Sequence, residues 1–184
     1  MSTILTNRHD FLLLFEVTNG NPNGDPDAGN MPRLDPNTNR GLVTDVCLKR
    51  KVRNFLELFP PEDTTKGYNI LIKQGTVIET EQKRGIKAAV EALPKDASDS
   101  RKAEAAKNWL CNEFFDVRTF GGVLSTGDDV LKGSAFGQVR GPVQFTFGQS
   151  LHAITPLEVT ITRCAVTKEE DAKKERTMGN KHVV

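Results

Sequence analysis

No apolar run in this chain approaches the roughly 20 residues that a membrane-spanning helix needs. The start, Met1-Ser2-Thr3-Ile4-Leu5, lacks the charged lead and long apolar core of a secretory signal. The expectation is a chain with no membrane partner, located in the cytoplasm. Cysteine is sparse: Cys47, Cys111 and Cys164 are odd in number and widely spaced, with no Cys-x-x-Cys pair. They read as thiols in a reducing compartment, not as a disulfide frame or a zinc site. An excess of one charge is missing too, since 25 Lys and Arg face 24 Asp and Glu for a net charge of +1. Whole-chain charge therefore makes no case for nucleic acid, and any such case rests on how the charge is distributed.

Reaction chemistry is equally thin. There is no Gly-x-x-x-x-Gly-Lys-Ser/Thr phosphate loop and no Gly-x-Gly-x-x-Gly after a strand. Asp25-x-Asp27-x-Gly29 has the start of a calcium loop, but its twelfth position is Pro36 instead of a bidentate acid. His9, His152 and His182 are isolated, without metal-ligand spacing. Asp128-Asp129 is an acidic pair in a polar stretch, readable as a solvated loop or as a metal holder for phosphodiester cleavage. No nucleophile has a paired base. Neither an enzyme nor a cofactor or resident metal is expected.

What is present is a chain of 184 residues, 37% hydrophobic and 27% charged, enough for one domain or a core domain with a large insertion. Its organising stretch runs from Phe11 to Phe59. The apolar run Phe11-Leu12-Leu13-Leu14-Phe15 predicts a strand over 11–18, central and covered on both faces. A loop from Asn19 to Gly41 follows, with six Asn, four Gly and four Pro. Loops this long tend to be functional, yet the same residues are simple turn formers. Thr44 predicts a helix N-cap and Asp45 suits the positive end of the dipole. Leu48, Val52, Phe55, Leu56 and Phe59 then predict one buried stripe, ended by Pro60-Pro61. Lys49, Arg50 and Arg53 fall together on a flank of that stripe. From Arg40 to Arg53 five basic residues stand against one acid, Asp45. Strand, polar loop and cationic helix together suit a polyanion, although a basic flank is also what a solvated face looks like.

Farther along, Asn69–Lys73 and Thr76–Thr80 predict two short strands around Gln74-Gly75. Gln82 to Leu93 predicts a helix burying Ile86, Val90 and Leu93. A second helix, capped by Ser98 or Ser100, is expected to bury Ala105, Trp109, Leu110 and Phe114. Val143, Phe145 and Phe147 alternate with Gln144 and Thr146, and Val159 and Ile161 alternate with Thr160 and Thr162; both predict strands. Thr167 to Thr177 is nearly all charged, a loop or a hairpin tip. Lys181 to Val184 reads as a strand just starting.

Several motifs then cohere. Asn19-Gly20-Asn21-Pro22-Asn23-Gly24-Asp25-Pro26, with Gly41-Leu42-Val43-Thr44-Asp45-Val46 and the basic helix, resembles the repeated backbone subunit of CRISPR surveillance complexes, most closely that of type I-C Cascade. Arg118-Thr119-Phe120-Gly121, Gly137-Gln138-Val139-Arg140-Gly141-Pro142-Val143-Gln144-Phe145 and Thr177-Met178-Gly179-Asn180-Lys181-His182 look like further motifs of that family, in order. Family members usually continue past this terminus, so the chain looks like an N-terminal portion.

The resemblance implies an α+β fold: an RRM-like (ferredoxin-like) palm, an inserted helical fingers region and a protruding thumb hairpin. The corresponding boundaries are 1–80 for the first part of the palm with its Asn/Gly loop, 81–115 for the fingers, 116–161 for palm and web, and 162–181 for the thumb. It implies copies stacked in a helical filament along a CRISPR guide RNA, beside other Cascade subunits, with guide bases left to pair with a target DNA strand in antiviral defence. Such a subunit is not the nuclease. A guide holder must grip any sequence, so it contacts phosphates and sugars. Asn19, Asn21, Asn23, Arg40, Lys49, Arg50 and Arg53 are the candidates in the organising stretch. By similarity Arg118, Phe120, Gln138, Arg140 and Lys181 join them, with Met178 as an apolar wedge between bases or as hairpin packing. Gly141-Pro142-Val143-Gln144-Phe145 is not the aromatic RNA-binding motif of a free-standing RRM, which favours binding through cations. The rival readings are a metal-dependent ribonuclease on the same scaffold, using Asp128 or Asp129, and a self-assembling structural protein whose basic flank pairs with acids of a neighbour.

Overall fold

A computed structural model describes residues 5–61, 67–124, 137–162, 164–166, 169 and 177–184. In chain order the elements are β1 (Gly24–Asp25), β2 (Met31–Pro32), β3 (Arg40–Val43), α1 (Asp45–Leu58), α2 (Ile78–Glu91), α3 (Asp99–Glu113), α4 (Phe115–Phe120), β4 (Gly121–Val123), β5 (Gln138–Arg140), β6 (Gly148–Ala153), β7 (Leu157–Thr162) and β8 (Thr177–Val183). Helices and small antiparallel sheets together make an α+β protein. The chain divides into two compact units, Met1–Val43 with Gly148–Val184, and Thr44–Phe147.

The first unit is built from antiparallel pairs. β1 pairs with β2 around a 3-10 turn at Pro26–Ala28, where Asp25 accepts a hydrogen bond from the Asp27 amide. Gly29 and Asn30 then take left-handed φ values of 60° and 63°, a conformation that Gly and Asn tolerate at little cost. β3 pairs with β6, with an irregularity between Arg40 and Leu42, and β7 pairs with β8 from Leu157↔Val183 to Thr162↔Thr177. The Asn/Gly loop is thus folded, its amides engaged in turns.

The expected strand over 11–18 does not form. No ladder engages it among the described residues, and Leu12 and Leu14 are 82% and 73% exposed. Apolar character alone does not make a strand, because each backbone amide and carbonyl needs a neighbour to bond. The Phe15 ring lies beside Gly148.

The second unit is mainly helical. α2 and α3 pack together over a core of Leu71, Ala89, Ala103, Ala106, Leu110, Phe114, Val117 and Leu124. Their approach requires Gly85, where a Cβ would lie 2.6 Å from Cε3 of Trp109. Ser98 caps α3 by accepting from the Arg101 amide. The two strands expected between 69 and 80 are absent. Ile70 and Leu71 bury into the unit as irregular chain, and α2 begins already at Ile78, four residues before the expected start. Glu79 and Glu81 in its first turn favour that earlier start by meeting the positive helix end. Residues 143–147 are not a strand either. The Val143 amide donates to Thr119 O at 3.0 Å and Gln144 Nε2 donates to Gly141 O at 2.9 Å, so this segment bonds to the end of α4 and to itself.

Candidate nucleic-acid interface

Helix α1 starts as its sequence dictates. Thr44 Oγ1 accepts from the Cys47 amide at 3.3 Å, and Asp45 bonds Lys49 at 2.9 Å one turn later. The Lys49 hydrogen bond holds the Asp45 carboxyl below its ordinary range, against the opposing effect of desolvation. The buried face, however, is turned. Leu48 and Arg53 are the buried residues, whereas Phe55 and Phe59 are exposed and rest on each other at 5.2 Å. At about 100° per residue the Lys49–Arg53 edge has moved from the flank toward the interior. Arg50 and Lys51 stay exposed.

The reason for that turn is Asp116. Its carboxylate, 1% exposed, accepts from Arg53 Nε at 2.9 Å and from the amides of Leu71 at 2.9 Å and Ile72 at 3.0 Å. An ionised acid with three such donors is well compensated for its burial. The Arg53 guanidinium lies 5.3 Å from the centroid of the buried Phe120 ring, and the Lys49 ammonium lies 6.0 Å from the same centroid. Two cations thus share one aromatic ring, each at a distance where the ring quadrupole attracts.

Arg118 sits in the same unit but is turned into the fold. It donates to the carbonyls of Cys111, Asn112 and Gly67 and lies 6.0 and 5.9 Å from the Tyr68 and Phe115 rings. Its guanidinium ties the end of α3 to Gly67. Gln138 and Arg140 are exposed on β5, which pairs with β4 through Gly121↔Arg140 and Val123↔Gln138. The glycines of these motifs have a steric cause. A Cβ on Gly121, at φ 80°, would lie 2.4 Å from Val139 O, and one on Gly141 would lie 2.3 Å from Thr119 O.

The remaining candidates belong to the first unit. Asn19 takes a left-handed φ of 53°, and Asn21 Nδ2 donates to Asn30 O at 2.8 Å, closing the β1–β2 turn. Asn23 is half-buried beside that turn, and Arg40 and Lys181 are exposed on β3 and β8. Met178 lies on β8. Asp128 and Asp129 lie outside the described residues. Among the described residues no group of three or more His, Cys, Asp or Glu is placed to hold a metal ion, and no helix is long and apolar enough to cross a membrane.

The sequence put Lys49 and Arg53 on one helix edge, and the resemblance named Phe120 separately; Asp116, the residue that holds Arg53, was missed. Its signal was a lone acid after Phe114-Phe115. Its partner stands 63 positions earlier, a separation no local spacing rule reaches.

By architecture this is an α+β protein of two units, whose helical unit sets two cations of one helix edge against a buried ring. The family model described as "CRISPR-associated protein Cas7" matches residues 7–184. A "CRISPR-associated protein Cas7" of Haloferax volcanii is 31% identical over 158 residues, 80% of this chain and 44% of that relative. The chain belongs to the Cas7 family of CRISPR-associated proteins. It spans less than half the length of that relative.

Proposed function

We propose that the protein is the guide-RNA-binding backbone subunit of a CRISPR surveillance complex of type I-C. Copies of it line the guide beside other Cascade subunits and leave the bases open to a target DNA strand. The observation that carries the reading is membership of the Cas7 family together with the cations of α1, where Lys49 and Arg53 lie beside Phe120 and Arg50 and Lys51 are exposed. The subunit holds RNA and does not cut it. In this reading the pairs β1–β2 and β3–β6 belong to an RRM-like palm, residues 81–115 with α2 and α3 are the fingers, and residues 162–181, much of which lie outside the described residues, are the thumb, with Met178 as a wedge. Arg50, Arg140 and Lys181 reach phosphates as exposed cations, and the folded Asn/Gly loop brings backbone close to the sugar-phosphate chain.

Such binding is indifferent to base sequence and sensitive to salt. Lys49→Ala with Arg50→Ala removes about two phosphate contacts, so the slope of log K against log salt falls by roughly 1–2 units. Titration with single-stranded RNAs of one length and varied sequence measures this. Affinity should fall alike for all of them. A loss confined to some sequences, or no loss, overturns the reading.

A further inference from the structure

We infer that Asp116 is a positioning residue for RNA, holding Arg53 by its Nε so that both Nη groups stay available to one backbone phosphate beside Phe120. The inference rests on the guide-RNA reading above and adds the geometry of one contact. A guanidinium carries five N–H donors. In Arg53 the Nε donor bonds Asp116, and the Nη donors have no acceptor among the described residues. Yet the residue is 8% exposed. Its Nη atoms are not among the buried polar atoms left without a partner, so the small exposed part of the side chain is where water reaches them. A phosphate has the oxygens to take that water's place, and two parallel N–H donors match their spacing.

The carboxylate is itself bonded at both oxygens. The amides of Leu71 and Ile72 hold its two oxygens, so Arg53 cannot swing with its partner. The Phe120 ring, 5.3 Å from the guanidinium carbon, limits the group on another side. Lys49, 6.0 Å from the same ring and bonded to Asp45, adds a second positive charge that a phosphate can also meet. Acid, arginine, ring and lysine therefore form one prearranged anion seat. Asp116 touches no RNA in it; it acts through Arg53.

The test is a double-mutant cycle on the full chain, read as affinity for single-stranded RNA of mixed sequence, with thermal unfolding alongside. Asp116→Asn should weaken RNA binding about tenfold, the scale of one charge-assisted hydrogen bond. Arg53→Ala should weaken it at least as much. The double variant should bind like Arg53→Ala alone, although its melting temperature differs. If Asp116→Asn binds RNA as the parent does, or if the two losses multiply, Asp116 is structural only and the inference fails. Arg53→Lys decides the matter where those variants do not fold. It keeps the charge and a bond to Asp116 but lacks the paired Nη donors, so affinity drops about tenfold with the salt slope unchanged. Parent-like affinity in that variant overturns the inference. A parent chain with no affinity for RNA sinks the guide-RNA reading itself, a result distinct from either.

Discussion

Gly141 and Gly122 stand in one short stretch of structure, and only one of them is sterically required. A Cβ on Gly141 would press on backbone atoms of Thr119, Phe120 and Gly121 at 2.3–2.4 Å, and backbone cannot rotate away as a side chain can. A Cβ on Gly122 would meet nothing within 4 Å. Gly141→Ala should therefore lower stability by about 1–3 kcal/mol or more, and Gly122→Ala by well under that, as urea unfolding would show. Equal effects would mean that the crossing at Gly141 is looser than described. Residues like these mark how far the sequence could be read. Gly121 and Gly141 stood out as parts of motifs, but their reason, a carbonyl of another segment at contact distance, is a tertiary fact. The same holds for Arg53. Its charge suggested a phosphate contact, and its bond to Asp116 became visible only once chain 63 positions apart was brought together.

At the scale of the element, α1 shows which signals are local and which are not. Its cap and its acidic first residue were legible because both act within one turn. The stripe was misjudged because Phe55 and Phe59 fit the period as well as the residues that are buried, and the Asp116–Arg53 bond decides between them. Segments 11–18 and 143–147 failed as strands for a related reason: alternation or apolarity proposes a strand, and ladder partners make one. The Asp45–Lys49 pair gives α1 a definite pH response. Asp45 titrates below its ordinary 3.8 when folded, so the unfolded chain takes up its proton first as pH falls. The stabilisation is complete above 3.8 and disappears as pH drops through the lower folded value. Asp45→Asn should thus cost about 0.5–1 kcal/mol at neutral pH, from the dipole and the i,i+4 pair, and nothing at a pH where the parent is already protonated. Melting temperatures of both proteins across acid pH check this; a constant gap would show that Asp45 acts through packing.

On the scale of the whole molecule, the α+β class was expected from the resemblance of the motifs, while the division into two units was not legible, since the first joins residues from both ends of the chain. That unit also carries exposed apolar side chains, among them Leu12, Leu14, Leu151 and Leu157. Exposed apolar surface of this kind attracts other apolar surface. Leu12→Ser with Leu14→Ser should reduce binding of an apolar dye and change unfolding free energy by no more than about 0.5 kcal/mol. A loss of several kcal/mol would place the run inside the protein in solution.

The approach of α2 to α3 has a practical corollary. The chain's single tryptophan, Trp109, lies against Gly85, with the Arg84 guanidinium 5.5 Å from its ring and Phe114 at 6.3 Å. Ultraviolet emission from indole is therefore a built-in optical reporter of how these two helices seat against each other. Its spectrum follows the helical unit, and events confined to the strand pairs of the other unit must be watched by another probe.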